Sequence, residues 1–192
     1  RAITAVPARG YRPAMWMLGS SDYGAQVAAA LGWPYSFAHH FMPEGTDEAL
    51  RTYRASFRAS SELDAPYSML GVSVLVADTD EHAHYLAGSG LLMFVRLRTG
   101  RPGLYPSPEE AARHEYSPAE QRLVQYRMQS QVVGSPSTVR DTLQRLVDRT
   151  GVDELMAVTM AHDHADRVRS YELLAAELSA RPLERGAGVR TA

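Results

Sequence analysis

A short polar loop with two serines is the first segment whose residue types could do chemistry. Residues 19–24 (Gly-Ser-Ser-Asp-Tyr-Gly) follow the apolar segment 14–18 and precede a helical pattern. The first N–H groups of a helix have no partner within the helix and attract anions. Together with the serine hydroxyls, and a glycine that would let a ligand approach the backbone, they suit a phosphate group. The simpler interpretation is that Ser-Ser-Asp only caps the helix.

Histidines follow two other apolar segments. His39 and His40 come at the end of segment 34–38, where an imidazole that titrates near neutral pH could contact substrate or act as an acid–base group. The alternative is a polar residue at the rim of the sheet. His162 and His164 could face one metal ion, as in a metal-dependent hydrolase. No carboxylate-rich motif completes that ligand set, so we predict no metal. The simpler interpretation is that Asp163-His164 caps the last helix.

Four short apolar segments predict the strands that would position these residues. They span 14–18, 34–38, 69–77 and 153–159, and each is followed by a helical pattern, which is typical of a parallel α/β sheet. The first helix should end at Gly32. Serine–proline steps at 107, 117 and 135 each predict the start of a helix. We expect an irregular insertion over about 99–116, before the last unit, and a disordered tail over 181–192.

Four βα units correspond either to half of an eight-unit barrel or to a small open sheet. A complete barrel takes about 250 residues, whereas this chain has 192. The chain starts on Arg1 and soon enters an apolar strand, so we expect residues 1–180 to be part of a larger domain.

Composition excludes several classes of function. The net charge is −2, which gives no support to a nucleic-acid-binding surface. There is no cysteine, so disulfides and thiolate chemistry are excluded, and all 20 basic residues are arginines, which excludes a lysine Schiff base. No apolar run reaches the roughly 20 residues of a membrane span, and the first residues do not form a signal peptide. We therefore expect a cytoplasmic protein.

Beyond these patterns, an ordered set of segments resembles the luciferase-like monooxygenases, and among them most closely the flavin-dependent oxidoreductases of the MsnO type. The segments are Trp16–Gln26, Leu31–Phe41, Val76–Glu81, Val133–Val139, Thr150–Met156 and Asp163–Tyr171. Each motif is weak by itself, but their order over about 6–178 is fairly specific.

The resemblance implies the C-terminal half of a (β/α)8 TIM-barrel that uses reduced FMN supplied by a reductase, or less commonly the deazaflavin F420. It also implies O2, a small organic substrate and a homo-oligomer. The cofactor-binding positions carried over from the family are Gly19, Ser20, Ser21, Tyr23 and Gly24, with Ser21 as the side-chain ligand of the flavin phosphate. The catalytic residue stays unknown, with His39 and His40 as weak candidates.

A non-catalytic protein is the main alternative. A truncated paralogue could pair with itself or with another chain through the open edges of a half-barrel. In either case we expect the isolated chain to be an incomplete enzyme.

Overall fold

Parallel strands and helices alternate along the chain in the computed structural model, which describes residues 6, 9–11 and 13–184. The strands are β1 (Met17–Gly19), β2 (Tyr35–Phe37), β3 (Ser68–Val76), β4 (Gln131–Gly134) and β5 (Glu154–Val158). The helices are α1 (Asp22–Leu31), α2 (Thr46–Ser56), α3 (Asp80–Arg98), α4 (Pro108–Ala112), α5 (Pro118–Met128), α6 (Pro136–Thr150) and α7 (His164–Ala180), with a 3₁₀ turn at Pro43–Gly45.

Local signals fix most helix ends. Helix α1 ends at Gly32, whose φ of 62° is left-handed and therefore favours glycine. The three serine–proline steps begin α4, α5 and α6, as predicted. Ser117 also forms a capping box with Glu120, in which each side chain accepts a backbone N–H of the other residue.

Strand β3 is the central strand of the sheet. Leu70 pairs with Phe37 of β2 and with Leu155 of β5, so β2 and β5 lie on opposite edges of β3. Ser73 pairs with both β4 and β5, which puts β4 on the same edge as β2. Strands β2 and β4 therefore follow one another along a single edge of β3.

The four predicted parallel strands are confirmed with slightly different bounds, but a fifth strand, β4, was missed. Only Val132 and Val133 are apolar in this segment, and two residues give no periodicity to recognise. The prediction of an irregular insertion over 99–116 is also partly wrong. It contains α4, whose first turn Ser107 caps by accepting the N–H of Glu110 at 3.2 Å.

The two faces of the sheet differ in how many helices pack on them. Helices α1, α2, α6 and α7 bury the main core against one face, where Phe37, Leu70 and Leu143 are at most 2% exposed. On the other face, α3 packs on Leu75 at the carboxyl end of β3. Elsewhere this face is open, because Leu18 and Met156 are 68% and 53% exposed. We call it the inner face, since it corresponds to the inside of a barrel.

The expected disorder does not begin at Arg181. Arg181 forms an ion pair with Glu177 at 3.0 Å, Leu183 packs against the main core, and the Glu184 N–H donates to Gln144 Oε1 at 2.9 Å. Residues 185–192 lie outside the described part of the chain. No helix among the described residues combines the length and the apolar character needed to cross a membrane.

Candidate functional site

The serine loop 19–24 lies where β1 ends and α1 begins. Ser21 is the N-cap residue of α1, yet its side chain makes no capping hydrogen bond. The hydroxyls of Ser20 and Ser21 are exposed and have no partner among the described residues. The donors of the first helical turn are therefore left for water or a ligand.

Residues in and just after β2 donate hydrogen bonds to the backbone carbonyls of this loop. The Tyr35 hydroxyl donates to Ser21 O at 3.2 Å, and the Ala38 N–H donates to Gly19 O at 2.8 Å. A Cβ placed on Gly19 would lie 3.5 Å from Gly24 Cα and 3.6 Å from Tyr35 Oη. Both distances are those of ordinary van der Waals contacts, so packing does not require a glycine here, and the expectation that Gly19 lets a ligand approach the backbone stays a prediction.

Asp22 is the one negative charge in the loop. Its carboxylate accepts a hydrogen bond from Gln26 on the next turn of α1 and stabilises the positive end of the helix dipole. Burial, and secondly the charge of Asp22, raise the pKa of Tyr35 to about 12, so this phenol stays protonated as a donor.

His39 lies on the helix-covered side of the sheet. It is 7% exposed, and its Nδ1 is 2.7 Å from Thr46 Oγ1 of α2. It lines a small cavity with Arg145 and Arg149 of α6. Burial and then the charge of Arg149 lower the pKa of His39. This position points away from the inner face, so His39 does not fit the role of a substrate-contacting residue at the rim.

His40 lies on the inner face. Its ring covers Gly71, where an added Cβ would lie 2.9 Å from the ring atoms Cε1 and Nδ1. His40 Nδ1 is 2.8 Å from Gly71 O. Because a carbonyl can only accept, Nδ1 carries the hydrogen and the neutral ring has its acceptor at Nε2. Nε2 has no partner among the described residues, so it is available to a ligand.

A cavity of about 360 Å³, missed by sequence reasoning, lies between the inner face and helices α3 and α5. It borders His40 through Arg127, whose Nη1 donates to His40 O at 2.6 Å and to Ser130 Oγ at 3.0 Å. No sequence motif around Arg127 could have predicted its place at the cavity wall. For His40 there was a usable signal, because an isolated glycine within a strand, here Gly71, often marks the close approach of another group.

The pair His162 and His164 is separated in the structure. His162 Nδ1 is 3.2 Å from Tyr105 O of the insertion, whereas His164 Nδ1 is 3.1 Å from Arg167 Nη2. Asp163 caps α7 by accepting the Ala165 N–H at 2.7 Å. In the described ranges no group of three or more histidine or carboxylate side chains could hold a metal ion.

The parallel arrangement brings several of these residues to one end of the sheet. Loop 19–24, His40 and His162 follow the carboxyl ends of β1, β2 and β5, which is the end where barrel enzymes place their active sites. Loop 19–24 and His40 are thus two candidate sites at the same end of the sheet. His39 lies on the helix-covered face instead.

Comparison with known proteins gives a family. Residues 1–154 match the model of the luciferase-like monooxygenases. The chain is 40% identical over 173 residues to the uncharacterized protein YvbT of Bacillus subtilis, covering 90% of this chain and 52% of that protein. It is 39% identical over 168 residues to a luciferase-like monooxygenase of Escherichia coli, covering 88% of this chain and 50% of that protein. The chain spans about half the length of the relatives it matches.

Solved structures agree with this match. The crystal structure of apo-MsnO8 has a TM-score of 0.78 and 35% identity, covering 95% of this chain and 55% of that one. Two more distant structures share the fold alone. One is the oxygenating constituent of 3,6-diketocamphane monooxygenase from Pseudomonas putida in complex with FMN, with a TM-score of 0.56 and 17% identity, covering 88% of this chain and 48% of that one. The other is the coenzyme F420-dependent tetrahydromethanopterin reductase of Methanopyrus kandleri, with a TM-score of 0.54 and 15% identity, covering 88% of this chain and 50% of that one.

The parallel sheet is accordingly of the TIM-barrel type found in these neighbours. The match of the family model to most of the chain agrees with the order of strands, helices and loops described above. The chain belongs to the luciferase-like monooxygenase family.

Proposed function

We propose that this chain is the C-terminal part of a flavin-dependent monooxygenase that binds FMN. The observation that carries the proposal is the uncapped N-terminus of α1, which opens at the carboxyl end of β1 beside two free serine hydroxyls. The flavin phosphate would bind to Ser21 and Ser20 and to the backbone of Gly19, Tyr23 and Gly24.

These residues fit a phosphate dianion. Helix α1 has ten residues, and its first-turn N–H groups together with the two hydroxyls form a cluster of donors. Asp22 opposes a bound anion, but its carboxylate is turned along the helix toward Gln26. Tyr35 stabilises the loop from the side of the core by its hydrogen bond to Ser21 O. The site therefore combines free donors with a fixed backbone.

Reduced flavin, when bound, supplies the reaction with O2 that oxygenates a small organic substrate. The residues of this chain would then have two tasks. Loop 19–24 would hold the phosphate, and His40 would offer Nε2 as a hydrogen-bond acceptor or proton carrier on the inner face. A flavin reductase would supply the reduced cofactor.

FMN is our choice over F420 because this chain resembles the MsnO-type oxidoreductases more closely than the F420-dependent neighbour. Both cofactors carry a phosphate that the same loop could hold, so the loop itself does not decide between them. Titrating both into the same preparation tests the choice, and we expect FMN to bind more tightly.

A non-catalytic partner subunit is the second candidate. In the described structure the outer edge of β1 and the outer edge of β5 have no neighbouring strand, and Met156 and Val158 leave an apolar surface beside one of them. Such edges and surfaces favour pairing with another chain or with a second copy. Purified protein that self-associates but never retains flavin would favour this candidate.

The main experiment is to titrate FMN into the purified chain, alone and co-expressed with the N-terminal half of a close relative. We expect the chain alone to bind weakly, because one phosphate site lacks the contacts to the flavin ring. With the added half, tight binding and NADH-coupled oxygenation should appear. Tight binding and turnover by the chain alone would show that the added half is unnecessary. No binding in either preparation would reject the flavin function.

A further inference from the structure

The cavity on the inner face combines an apolar lining with one half-buried cation, Arg127. It has a volume of about 360 Å³, within the range of pockets for small organic molecules. Its lining includes the apolar and aromatic side chains of Phe41, Leu75, Phe94, Tyr126, Val133 and Met160. A ligand that fits this lining must be largely apolar.

Arg127 is fixed at the wall of this cavity. Its Nη1 donates to His40 O at 2.6 Å and to Ser130 Oγ at 3.0 Å, and its guanidinium carbon lies 5.6 Å from the centre of the Phe94 ring. Two main-chain or hydroxyl acceptors and a ring thus hold the guanidinium in one orientation. The side chain is pre-organised, so a ligand need not pay the entropy of ordering it.

The positive charge of Arg127 has no counter-ion in the part of the chain that the structure describes. No carboxylate lies within ion-pair distance of it among residues 13–184, and its only hydrogen-bond partners there are a carbonyl and a hydroxyl, both neutral. Burial lowers the pKa of Arg127, which still stays charged at neutral pH. A half-buried arginine without a carboxylate leaves a charge that an anionic ligand can satisfy.

Tyr105 offers a second polar group in the same cavity. Its hydroxyl has no hydrogen-bond partner in the described structure. Burial raises the pKa of Tyr105, so the phenol stays protonated and can donate. A carboxylate could therefore accept from both Arg127 and Tyr105, while its hydrocarbon part lies against the apolar wall.

We propose that this cavity binds an amphipathic carboxylate, with its anionic head on Arg127 and its apolar body along α3. The site is separate from loop 19–24 and goes beyond the proposed flavin function. Its position at the carboxyl end of the sheet would make the ligand a candidate substrate for the oxygenation, and that last step alone rests on the proposed function.

The test compares octanoate with 1-octanol, which has the same chain but no charge, by isothermal titration calorimetry on the unaltered chain without flavin. We expect octanoate to bind at least about tenfold more tightly, because only the carboxylate can pair with the half-buried guanidinium of Arg127. Equal binding of the two ligands, or no binding of octanoate, would overturn the proposal. This comparison needs no variant and therefore does not depend on how a variant folds.

Two arginine variants locate the effect. Arg127→Met should reduce octanoate affinity by about tenfold or more and leave octanol affinity within about twofold. Arg98 is the matched control, since it lies 5.2 Å from the same Phe94 ring and borders the cavity but is exposed. Arg98→Met should change octanoate affinity by less than about twofold, as expected for a solvated charge. An equal loss in both variants would show non-specific attraction and reject the site.

A third variant tests the apolar wall. Gly90 of α3 faces the cavity, where an added Cβ would lie 3.1 Å from Tyr105 Oη. Gly90→Leu should fill the space and weaken octanoate and octanol together, while the circular dichroism spectrum is retained. Undiminished binding would place both ligands elsewhere. Because none of these measurements involves FMN, octanoate binding with no flavin binding would support this site and reject the proposed function.

Discussion

The Ser21 hydroxyl and the His40 ring both keep free hydrogen-bonding capacity among the described residues at the carboxyl end of the sheet. Ser21 stands at the N-terminus of α1 with no capping bond, and His40 is held by Gly71 O with Nε2 unoccupied by the described residues. Both residues were singled out from sequence by their place after a strand. Ser21 suits an anion because its hydroxyl can donate, and His40 suits a proton because Nε2 can accept.

Ser21→Asp should weaken FMN binding in the chain co-expressed with an N-terminal half. The new carboxylate would repel the phosphate dianion, and we expect an affinity loss of at least about tenfold, or about 1.4 kcal/mol. Ser21→Asn is the control, because asparagine has nearly the same shape and caps helices as well as aspartate. Fluorescence quenching of FMN provides the measurement. Affinities equal within about twofold for the two variants would reject the phosphate assignment.

His39 should make the stability of the chain depend on pH. Its pKa is lowered by burial and then by Arg149, so the folded state binds fewer protons than the unfolded state near the ordinary value of about 6.5. The free energy of unfolding should therefore fall as pH decreases below about 6.5, by at most about 1.4 kcal/mol per pH unit for one proton.

Urea unfolding between about pH 8 and about pH 5 measures this slope. His39→Gln should flatten it, whatever its effect on stability at high pH. His164→Gln is the control, since His164 is exposed and Nδ1 of its ring lies 3.1 Å from Arg167 Nη2. A slope that is unchanged in His39→Gln, or flattened equally in both variants, would assign the pH dependence to other groups.

At the level of elements, the structure joins α3 to α6 through one carboxylate. Asp80 Oδ1 accepts the Ser135 N–H at 2.6 Å, and Thr138 Oγ1 donates to Oδ2 at 3.1 Å. These hydrogen bonds lower the pKa of Asp80. Asp80 thus caps the N-terminus of α6 although it belongs to the first turn of α3, and Ser135 itself makes no capping bond to the helix backbone.

Asp80→Ala should consequently lower the urea midpoint and speed hydrogen exchange of the Ser135 amide, because an orphan donor of α6 loses its acceptor. Asp78→Ala is the matched control. Asp78 lies two residues away, and its partner is the exposed side chain of Arg169 at 2.8 Å. We expect the control to have the smaller effect. If both variants shift the midpoint equally and the Ser135 amide exchanges at the same rate, the capping role is wrong.

Features that depend on neighbouring residues could be predicted from the sequence, whereas features that depend on residues distant in the sequence could not. Helix ends depend on neighbouring residues, so Gly32 and the serine–proline steps were sufficient to predict them. Loop 19–24 was predicted because a strand, two serines and a helix are contiguous. Strand β4 and Arg127 depend on partners distant in sequence: Val132 pairs with Val74, and Arg127 bonds to His40 O, 87 positions away. Single-sequence patterns carry no record of such pairings.

At the scale of the whole molecule, the inner face is the feature that distinguishes this chain from a closed barrel. Leu18, Met156 and Val158 place apolar side chains on it, with exposures of 68%, 53% and 37%. Exposed large apolar side chains on one face of a sheet favour interaction with another surface. The second half of a barrel and a second copy of this chain would both cover it, and the two cases differ in whether the purified chain associates with itself.

We expect the isolated chain to form dimers or larger species that dissociate when Met156 is replaced by lysine. A charge on the open face of an edge strand opposes pairing with another sheet. Size-exclusion chromatography with light scattering over a range of concentrations measures the change. Leu31→Lys is the control, because Leu31 is 46% exposed on the helix-covered side. A monomer at every concentration before substitution would contradict the expectation.

The central position of β3 also has a consequence during protein synthesis. The Ser68 N–H at the start of β3 donates to Asp153 Oδ2, 85 positions later, just before β5, which pairs with Met69–Ser73 of β3. At about 5–20 residues per second, a ribosome needs roughly 4–17 s to make that intervening segment. Through this interval the edge of the nascent β3 that later pairs with β5 has no partner strand, because β2 and β4 both pair with the other edge. Chaperones that shield apolar strands during translation should therefore contact this protein before its residue 158 has emerged.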